Sequence, residues 1–254
     1  MNIGIIVLTR NRLKEMAQVL DAIEKHTTVP FRMAVSMDRC VPEIRKYLEK
    51  RYPNNECDFL ETPGEGGIAS NRNISFHHFR NKDIVFMFED DFMPAQDGWQ
   101  SRYVEVLSRG THPCLFALNK GLHGEVVDQS NQSLTDALFN YIPVLYRPML
   151  TTQLTAINTS LLKTLGYFSL AYGTRYGFED SEWGSRGRDG GLFGSKLGFP
   201  CLEQEGVFED ILEPTSSDGK TLEQREADKV VNWETFKETA QRPMFLEYPY
   251  KENA

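Results

Sequence analysis

The chain has 254 residues and a formal net charge of −8, with an ordinary globular composition of 40% hydrophobic and 25% charged residues. This length suits one large α/β domain, which we predict, or two small ones. The acidic balance argues against broad attraction to nucleic acid or anionic membranes, although a local basic patch is compatible with it. No apolar run is long enough for a transmembrane segment. We expect a cytoplasmic protein with reduced thiols, because its cysteines lack zinc-site spacing and disulfide-scaffold density; they are Cys40, Cys57, Cys114 and Cys201.

The first unit is predicted to be a strand, a polar turn and a helix. Residues 3–8 are apolar, and the following segment has apolar residues at helical spacing: Leu13, Met16, Val19, Leu20 and Ile23. Thr9, Arg10 and Asn11 occupy the turn, and Asn11 is a plausible helix N-cap. Free backbone N–H groups at such a turn suit an anion or a polar nucleotide edge, whereas the simpler alternative is only a capped helix.

The next elements continue the alternation of strand and helix. Residues 31–37 read as a second strand that ends at Asp38, and residues 43–50 and 57–60 as a helix and a short strand. A flexible loop at 62–67 then leads into a helix that carries Arg72 and runs to about residue 78.

An acidic triplet follows the most buried predicted strand. The apolar run at 84–88 indicates a strand buried on both faces, and Glu89, Asp90 and Asp91 come directly after it. Three adjacent acids repel one another in an apolar setting, and a hard divalent cation is the simplest neutraliser. Mg²⁺ or Mn²⁺ is commonly held by one or two carboxylates together with phosphate oxygens, so this acidic strand end suits a nucleotide-diphosphate substrate. The alternative is a solvated turn.

The alternation through residue 91 predicts a parallel, doubly wound sheet. The carboxyl ends of its strands meet at one edge, so Asp38, Arg72 and the acidic triplet should converge there. The proximity of Arg72 to these acids is also compatible with a plain salt bridge.

The second half of the chain shows a different pattern. We predict a helix at 99–107, strands at 114–118 and 152–158, a lid or acceptor-side insertion at 119–151 and a helical turn at 160–165. From Gly173 to Gly198 the many glycines predict mobile loops around a short acidic helix, as in a site that closes on substrate. Helical spacing between residues 221 and 241 predicts a packing helix without chemistry, with apolar positions Leu222, Val230, Val231, Trp233 and Phe236.

Together these pieces resemble the family 2 glycosyltransferases, enzymes of the GT-A fold. The resemblance covers roughly residues 1–210 and depends on the order and spacing of several short motifs. These are Thr9-Arg10-Asn11-Arg12, Asp38, Ala69-Ser70-Asn71-Arg72-Asn73, Phe88-Glu89-Asp90-Asp91, Leu165-Gly166-Tyr167-Phe168, Glu179-Asp180 and Trp183. It implies a Rossmann-like, mostly parallel sheet flanked by helices in a single domain. Residues 1–118 would form the nucleotide-sugar-binding half, 119–220 the acceptor-binding and catalytic half, and 221–254 a C-terminal helix and tail.

The resemblance also implies roles for individual residues. Asp38 would contact the nucleotide base, usually uracil, and the turn Thr9, Arg10 and Asn11 would line the donor pocket with Arg72. The acidic triplet is similar to the family's Asp-x-Asp motif. Asp91 would be the metal ligand, and Glu89 and Asp90 would lie nearer the ribose.

Glu179 and Asp180 are similar to the family's Glu-Asp motif, in which Asp180 would be the general base. Trp183, three residues later, is predicted to stack on the acceptor. The chain departs from the family pattern at two places. Glu89 stands where Asp is usual, and the segment from Gly206 to Asp210 lacks the usual His, so either Glu209 completes the metal shell or that protein ligand is absent.

The function predicted first is an inverting, metal-dependent transfer of a sugar from a nucleotide-diphosphate sugar, usually a UDP-sugar, to an acceptor hydroxyl. A metal-dependent nucleotidyl- or phosphoryl-transfer enzyme and an inactive sugar-nucleotide-binding protein are the alternatives. The acceptor is predicted to be a glycan. A hydroxymethylated base in phage-type DNA ranks second, with a phosphate-binding rim formed by Arg175, Arg186, Arg188 and Lys196.

Overall fold

The computed structural model describes residues 1–110, 112–117, 134–135, 144–147, 152–193, 198–202, 206–211, 220–239 and 245–250. Its helices are α1 (Leu13–His26), α2 (Pro42–Arg51), α3 (Ile68–His78), α4 (Gln100–Ser108), α5 (Glu179–Asp189) and α6 (Leu222–Thr239). Its strands are β1 (Ile3–Thr9), β2 (Phe31–Met37), β3 (Cys57–Glu61), β4 (Ile84–Glu89), β5 (Phe92–Pro94), β6 (Cys114–Ala117), β7 (Leu134–Thr135), β8 (Val144–Arg147), β9 (Leu154–Asn158), β10 (Phe199–Leu202) and β11 (Phe208–Asp210).

The N-terminal half forms the predicted parallel sheet. Strands β3, β2, β1 and β4 lie side by side in that order and run parallel. All seven residues of β1 are buried, as expected for a central strand with helices on both faces. The prediction for this half is confirmed, and it places the carboxyl ends of β1, β2 and β4 at one edge.

Beyond β4 the sheet is mixed. The strand predicted at 152–158 is present as β9, which lies between β4 and β6 and runs antiparallel to both. After β6 the sheet continues with β10, β8 and β7 in that order. Of the nine described strands in this sheet, all but β8 and β9 run in the same direction. The antiparallel pairing brings the start of β9 to the carboxyl end of β4, where Phe88 pairs with Leu154.

Two apolar layers hold the sheet. Helices α1, α2 and α4 cover one face, and the buried residues of α1 recur at the helical spacing of Met16, Val19, Leu20 and Ile23. The other face is covered by α3 and α5. The chain is therefore one domain with a mostly parallel sheet between two helical layers.

Several sequence predictions are corrected or remain open. Asn11 does not cap α1, because Arg12 occupies the N-cap position, and Asn11 instead has a φ of 58°. Most of the insertion predicted at 119–151 and residues 194–197 of the Gly-rich segment lie outside the described residues. All four cysteines are free. None of the helices described is long and apolar enough to span a membrane, and the cytoplasmic location stays a prediction.

Candidate active site

The acidic end of β4 lies beside the turn that follows β1. Thr9 Oγ1 donates a hydrogen bond to Asp90 Oδ2 at 2.7 Å, and Arg12 Nη1 lies 2.9 Å from Asp90 Oδ1. Burial raises the pKa of Asp90 to about 6, although the Arg12 charge and the Thr9 hydrogen bond oppose that shift. Pairing of β1 with β4 in the parallel register brings these distant residues together.

Arg12 is a site residue to which sequence reasoning assigned no role. Its Nη1 bridges two carboxylates, because it also lies 2.8 Å from Asp91 Oδ2. The side chain of Arg12 is only 12% exposed, so this contact is not an ordinary surface ion pair. The sequence signal for this role is a basic residue just after β1, the strand that pairs with β4 and its acidic end. The protein therefore places a cation of its own, Arg12, between Asp90 and Asp91.

Asp91 has one carboxylate oxygen that could coordinate a cation. Its Oδ1 is buried without a hydrogen-bond partner. No group of three His, Cys, Asp or Glu side chains suited to a metal ion occurs among the residues described. The donor set therefore fits a hard divalent ion held by Asp91 and by oxygens from a bound diphosphate, which is how Mg²⁺ is commonly held in proteins.

The role of Glu209 in the metal shell, one of the two alternatives taken from the sequence, stays a prediction. Glu209 is exposed in β11, where its neighbour Asp210 pairs with Phe92 in the antiparallel ladder. Successive side chains of a strand point to opposite faces. Asp210 Oδ1 accepts a hydrogen bond from Gln153 Nε2 at 2.9 Å, so Asp210 is the acid of this strand that is linked to the site.

Asp38 lies at the end of β2, as predicted, and is 2% exposed. Its Oδ1 accepts hydrogen bonds from the backbone N–H of Gly67 at 2.9 Å and from Thr62 Oγ1 at 3.0 Å. Arg10 Nη1 lies 3.4 Å from Oδ2. A carboxylate has about four acceptor positions, so Oδ2 keeps capacity for a ligand donor.

A cavity of about 460 Å³ opens next to Asp38. Basic side chains of Arg39, Arg45 and Lys46 line it together with Cys40 and the α2 N-terminus. Asn11 faces this region rather than the acidic cluster, since its Oδ1 accepts a hydrogen bond from the backbone N–H of Val41 at 2.8 Å. The side chain of Asn11 thus links the turn after β1 to the start of α2 by a hydrogen bond.

Arg72 joins the acidic strand end to the second acidic motif. Its Nη2 lies 2.6 Å from Glu89 Oε1 and donates to Thr152 Oγ1 at 2.9 Å, and its Nη1 lies 4.0 Å from Glu179 Oε1. The guanidinium also stands 5.4 Å from the ring centre of Phe168. The contact with Glu89 confirms that Arg72 converges with the acidic triplet, and because Arg72 is 1% exposed its charge is buried.

Thr152 connects Asp180 to this cluster. Its Oγ1 donates to Asp180 Oδ2 at 3.0 Å and lies 3.4 Å from Glu89 Oε1. Thr152 precedes β9, so the antiparallel insertion of that strand carries this hydroxyl to the end of β4. This residue could not be found from the sequence, since a Thr just before a strand has no distinguishing pattern.

Glu179 is the more buried acid of the second motif, with 4% exposed. Burial and the neighbouring Asp180 charge raise its pKa to about 7, against the opposing charge of Arg72. Its Oε2 is buried without a hydrogen-bond partner. Glu179 therefore faces the buried cluster, while Asp180 is the partly exposed acid beside it.

The acceptor-stacking role predicted for Trp183 is wrong in this structure. Trp183 is 1% exposed, stacks on Phe168 at a centroid distance of 5.0 Å and packs against Phe76 and Phe193. Its indole N–H donates to the carbonyl of Gly166 at 3.2 Å. The helical spacing was read correctly, but this face of α5 packs on α3 and the core.

The basic rim predicted around Arg186 is not formed as expected. The buried guanidinium of Arg186 contacts Glu182 and donates to the carbonyls of Leu165 and Tyr167 at 2.7 Å each. Arg175 bonds Asn232 and Ala171, and Arg188 contacts Asp189 and the Phe199 ring. Lys196 lies outside the described residues. Arg186 is thus a structural residue.

Comparison with known proteins identifies the fold. By sequence, the chain matches no protein-family model and no curated protein. By structure, it is similar to S. aureus TarS 1-349 in complex with UDP-GlcNAc, with a TM-score of 0.62 and 17% identity over 87% of this chain and 61% of that one.

Two further solved structures show the same similarity. The mannosyltransferase PcManGT from Pyrobaculum calidifontis, in complex with GDP-Man and Mn²⁺, has a TM-score of 0.59 and 18% identity over 90% of this chain and 64% of its own. GalNAc-T7 with UDP, GalNAc and Mn²⁺ has a TM-score of 0.61 and 14% identity over 96% and 52%. This chain thus spans less than two thirds of each of the three. It has the GT-A glycosyltransferase fold.

Proposed function

We propose that this protein is a glycosyltransferase that moves a sugar from a nucleotide-diphosphate donor to an acceptor hydroxyl, with a divalent metal and inversion at the anomeric carbon. UDP-sugars are the donors that we favour. The structural neighbours were solved with UDP, UDP-GlcNAc or GDP-Man, and two of them with Mn²⁺. Membership of family 2 is part of the proposal.

One observation carries the proposal. Thr152 hydrogen-bonds Asp180 and lies next to Glu89, so a carboxylate of the second half stands beside the acidic strand end of the first half. An inverting transfer needs a base for the acceptor hydroxyl close to the group that stabilises the leaving diphosphate. The acceptor loses a proton as the diphosphate gains charge.

The residues divide these tasks. Asp38 and the turn at Thr9 and Arg10 would hold the nucleotide, with the remaining acceptor position of Asp38 available to a base N–H. Asp91 would bind the divalent cation, which when present neutralises charge on the diphosphate. Asp180 would accept the proton of the acceptor hydroxyl, since it is the partly exposed acid beside the buried cluster.

The acceptor is proposed to be a glycan. The alternative, modified DNA, requires a rim of basic side chains. Arg186 cannot contribute to such a rim, because it is buried and bonded to backbone carbonyls. A DNA acceptor needs exposed cations that contact phosphates. The face around α5 therefore favours a neutral, polar acceptor.

The test is a donor and acceptor screen read by mass spectrometry, with Mn²⁺ and with EDTA. Release of UDP from a UDP-sugar that needs Mn²⁺, together with a glycosylated product, supports the proposal. Metal-dependent release of pyrophosphate or transfer of phosphate supports the phosphoryl-transfer alternative instead. Tight donor binding with no turnover of any donor identifies an inactive binding protein.

A further inference from the structure

The C-terminal helix α6 has an unusual distribution of polar and apolar residues. Its apolar side chains Val230 and Val231 are 68% and 49% exposed, whereas Asn232 is fully buried at 0%. A helix that only packs on a core buries its apolar face. The sequence prediction of a packing helix without chemistry is therefore incomplete, because this helix buries an amide.

The buried amide of Asn232 binds three consecutive residues of one loop. Its Oδ1 accepts a hydrogen bond from Arg175 Nε at 2.7 Å, and its Nδ2 donates to the carbonyls of Tyr176 at 3.1 Å and Gly177 at 2.8 Å. A buried amide without partners is costly, so its pairing with this loop is specific.

Two further contacts, one from α6 and one from the residues before it, hold the loop. Asp228 Oδ2 accepts a hydrogen bond from the backbone N–H of Tyr176 at 3.0 Å, and Lys220 Nζ donates to the carbonyl of Thr174 at 3.1 Å. Every residue from 174 to 177 is thereby bonded to α6 or to the residues just before it.

This loop ends at a strained residue in the N-cap position of α5. Phe178 has a φ of 73° in the left-handed region, and its ring packs on Trp233 and Phe236 of α6 at centroid distances of 5.7 and 5.9 Å. Such a conformation is unfavourable for a non-glycine residue and persists only where the surroundings enforce it. Glu179 and Asp180 follow directly.

We infer that Asn232 is a positioning residue, which holds the 174–177 loop and Phe178 so that Asp180 meets Thr152 at the acidic strand end. The inference rests on the proposed role of Asp180 as general base. The hydrogen bonds of Asn232 go to Arg175, Tyr176 and Gly177 and not to Asp38 or Asp91, so loss of Asn232 should misplace the base and leave the nucleotide and metal site intact.

The test compares Asn232→Ala with Glu234→Ala, a control on the same helix whose side chain is 63% exposed. Misplacement of a catalytic group by about 1 Å can cost on the order of 100-fold in rate. We expect kcat for UDP-sugar turnover to fall about 10- to 100-fold in Asn232→Ala. The KM for the donor and the calorimetric affinity for UDP with Mn²⁺ should match those of Glu234→Ala.

Hydrogen exchange supplies a second readout that does not need turnover. Amides at 174–182 should exchange faster in Asn232→Ala than in Glu234→Ala, while the β1 and β4 amides stay protected. Asp228→Ala removes a contact nearer the surface, so it should retain the fold and shift kcat and exchange in the same direction by a smaller amount. This variant decides the question if Asn232→Ala does not fold.

Two results would overturn the inference. The first is a kcat equal to that of the control in folded Asn232→Ala or Asp228→Ala. The second is a loss of UDP affinity as large as the loss of kcat, which would mark a general structural defect. Asp180→Asn is measured in parallel. If it keeps full kcat, the proposed base is wrong and the inference falls with it, whereas a slow Asp180→Asn with an unaffected Asn232→Ala refutes the positioning role alone.

Discussion

The two acidic motifs are held in different ways. Asp90 and Asp91 stand at the end of a central strand and are fixed by the adjacent strand end and its turn, through Thr9 and Arg12. Asp180 stands at the start of a helix after a glycine-containing loop, and contacts from α6 hold that loop. A site at a strand end is thus positioned by the pairing of neighbouring strands, whereas a site at the end of a loop needs contacts from a distant element.

The largest effect should come from Asp180→Asn. General-base help typically contributes about 10²–10⁴-fold, so kcat should fall by that order while the affinity for UDP and Mn²⁺ is unchanged. Steady-state kinetics and calorimetry check this. Asp189→Asn, at an exposed position of the same helix, is the control. A lower donor affinity with kcat preserved would place Asp180 on the donor side and break the division between the two motifs.

Asp91→Asn should show the opposite pattern. A neutral amide is a poor ligand for a hard ion, and loss of even an indirect ligand contact typically costs about 10- to 100-fold in metal affinity. We expect Mn²⁺-dependent UDP binding to weaken by at least that factor in calorimetry. Asp97→Asn, whose parent side chain is 75% exposed, is the control. Unchanged Mn²⁺ affinity would refute the metal assignment.

Gly67→Ala tests the contact between the two regions. Gly67 has a φ of 104°, and a Cβ there would lie 2.4 Å from the carbonyl oxygen of Gly173. Gly64 has a φ of 63° but nothing within 4 Å of such an atom, so Gly64→Ala carries only the conformational cost. Urea unfolding should show Gly67→Ala to be less stable than Gly64→Ala by about 1–3 kcal/mol. Equal stabilities would mean that the loop yields freely there.

Arg12→Gln should strengthen metal binding in the absence of nucleotide. Arg12 already neutralises Asp90 and Asp91, so an entering cation must displace it or bear its repulsion. We expect about a 10-fold gain in Mn²⁺ affinity, measured by electron paramagnetic resonance of free Mn²⁺. Arg12→Lys keeps the charge and should stay near the parent. A loss of affinity in Arg12→Gln would instead show that the arginine supports the metal site.

The stability of the protein should also depend on pH through Glu179. Glu179 has a folded-state pKa raised to about 7 from its usual 4.5, so between these values the native protein holds a proton that the unfolded chain has released. Its contribution to stability is therefore present at low pH and lost as pH rises, by at most about 1.4 kcal/mol per unit. Glu179→Gln should flatten this slope in urea unfolding between pH 4.5 and 7, and Glu49→Gln should not. An unchanged slope would contradict the raised pKa.

Much of the N-terminal half was predictable from the sequence. Continuous apolar runs of β-branched and aromatic residues specify buried parallel strands, and β1, β2 and β4 follow with their polar ends at one edge. The positions of Asp38 and the acidic triplet follow from where those runs stop. The proximity of Arg72 to Glu89 could be expected because the preceding helix begins at the same edge.

The tertiary structure alone decided the rest. The antiparallel insertion of β9 brought Thr152 to the acidic edge, and the register of β1 against β4 placed Arg12 on Asp90 and Asp91. Periodicity shows that residues share a face but not what covers that face. For this reason the sequence predicts acceptor contacts for Trp183 and Arg186, which are buried, and does not distinguish the buried amide of Asn232 within an ordinary helical pattern.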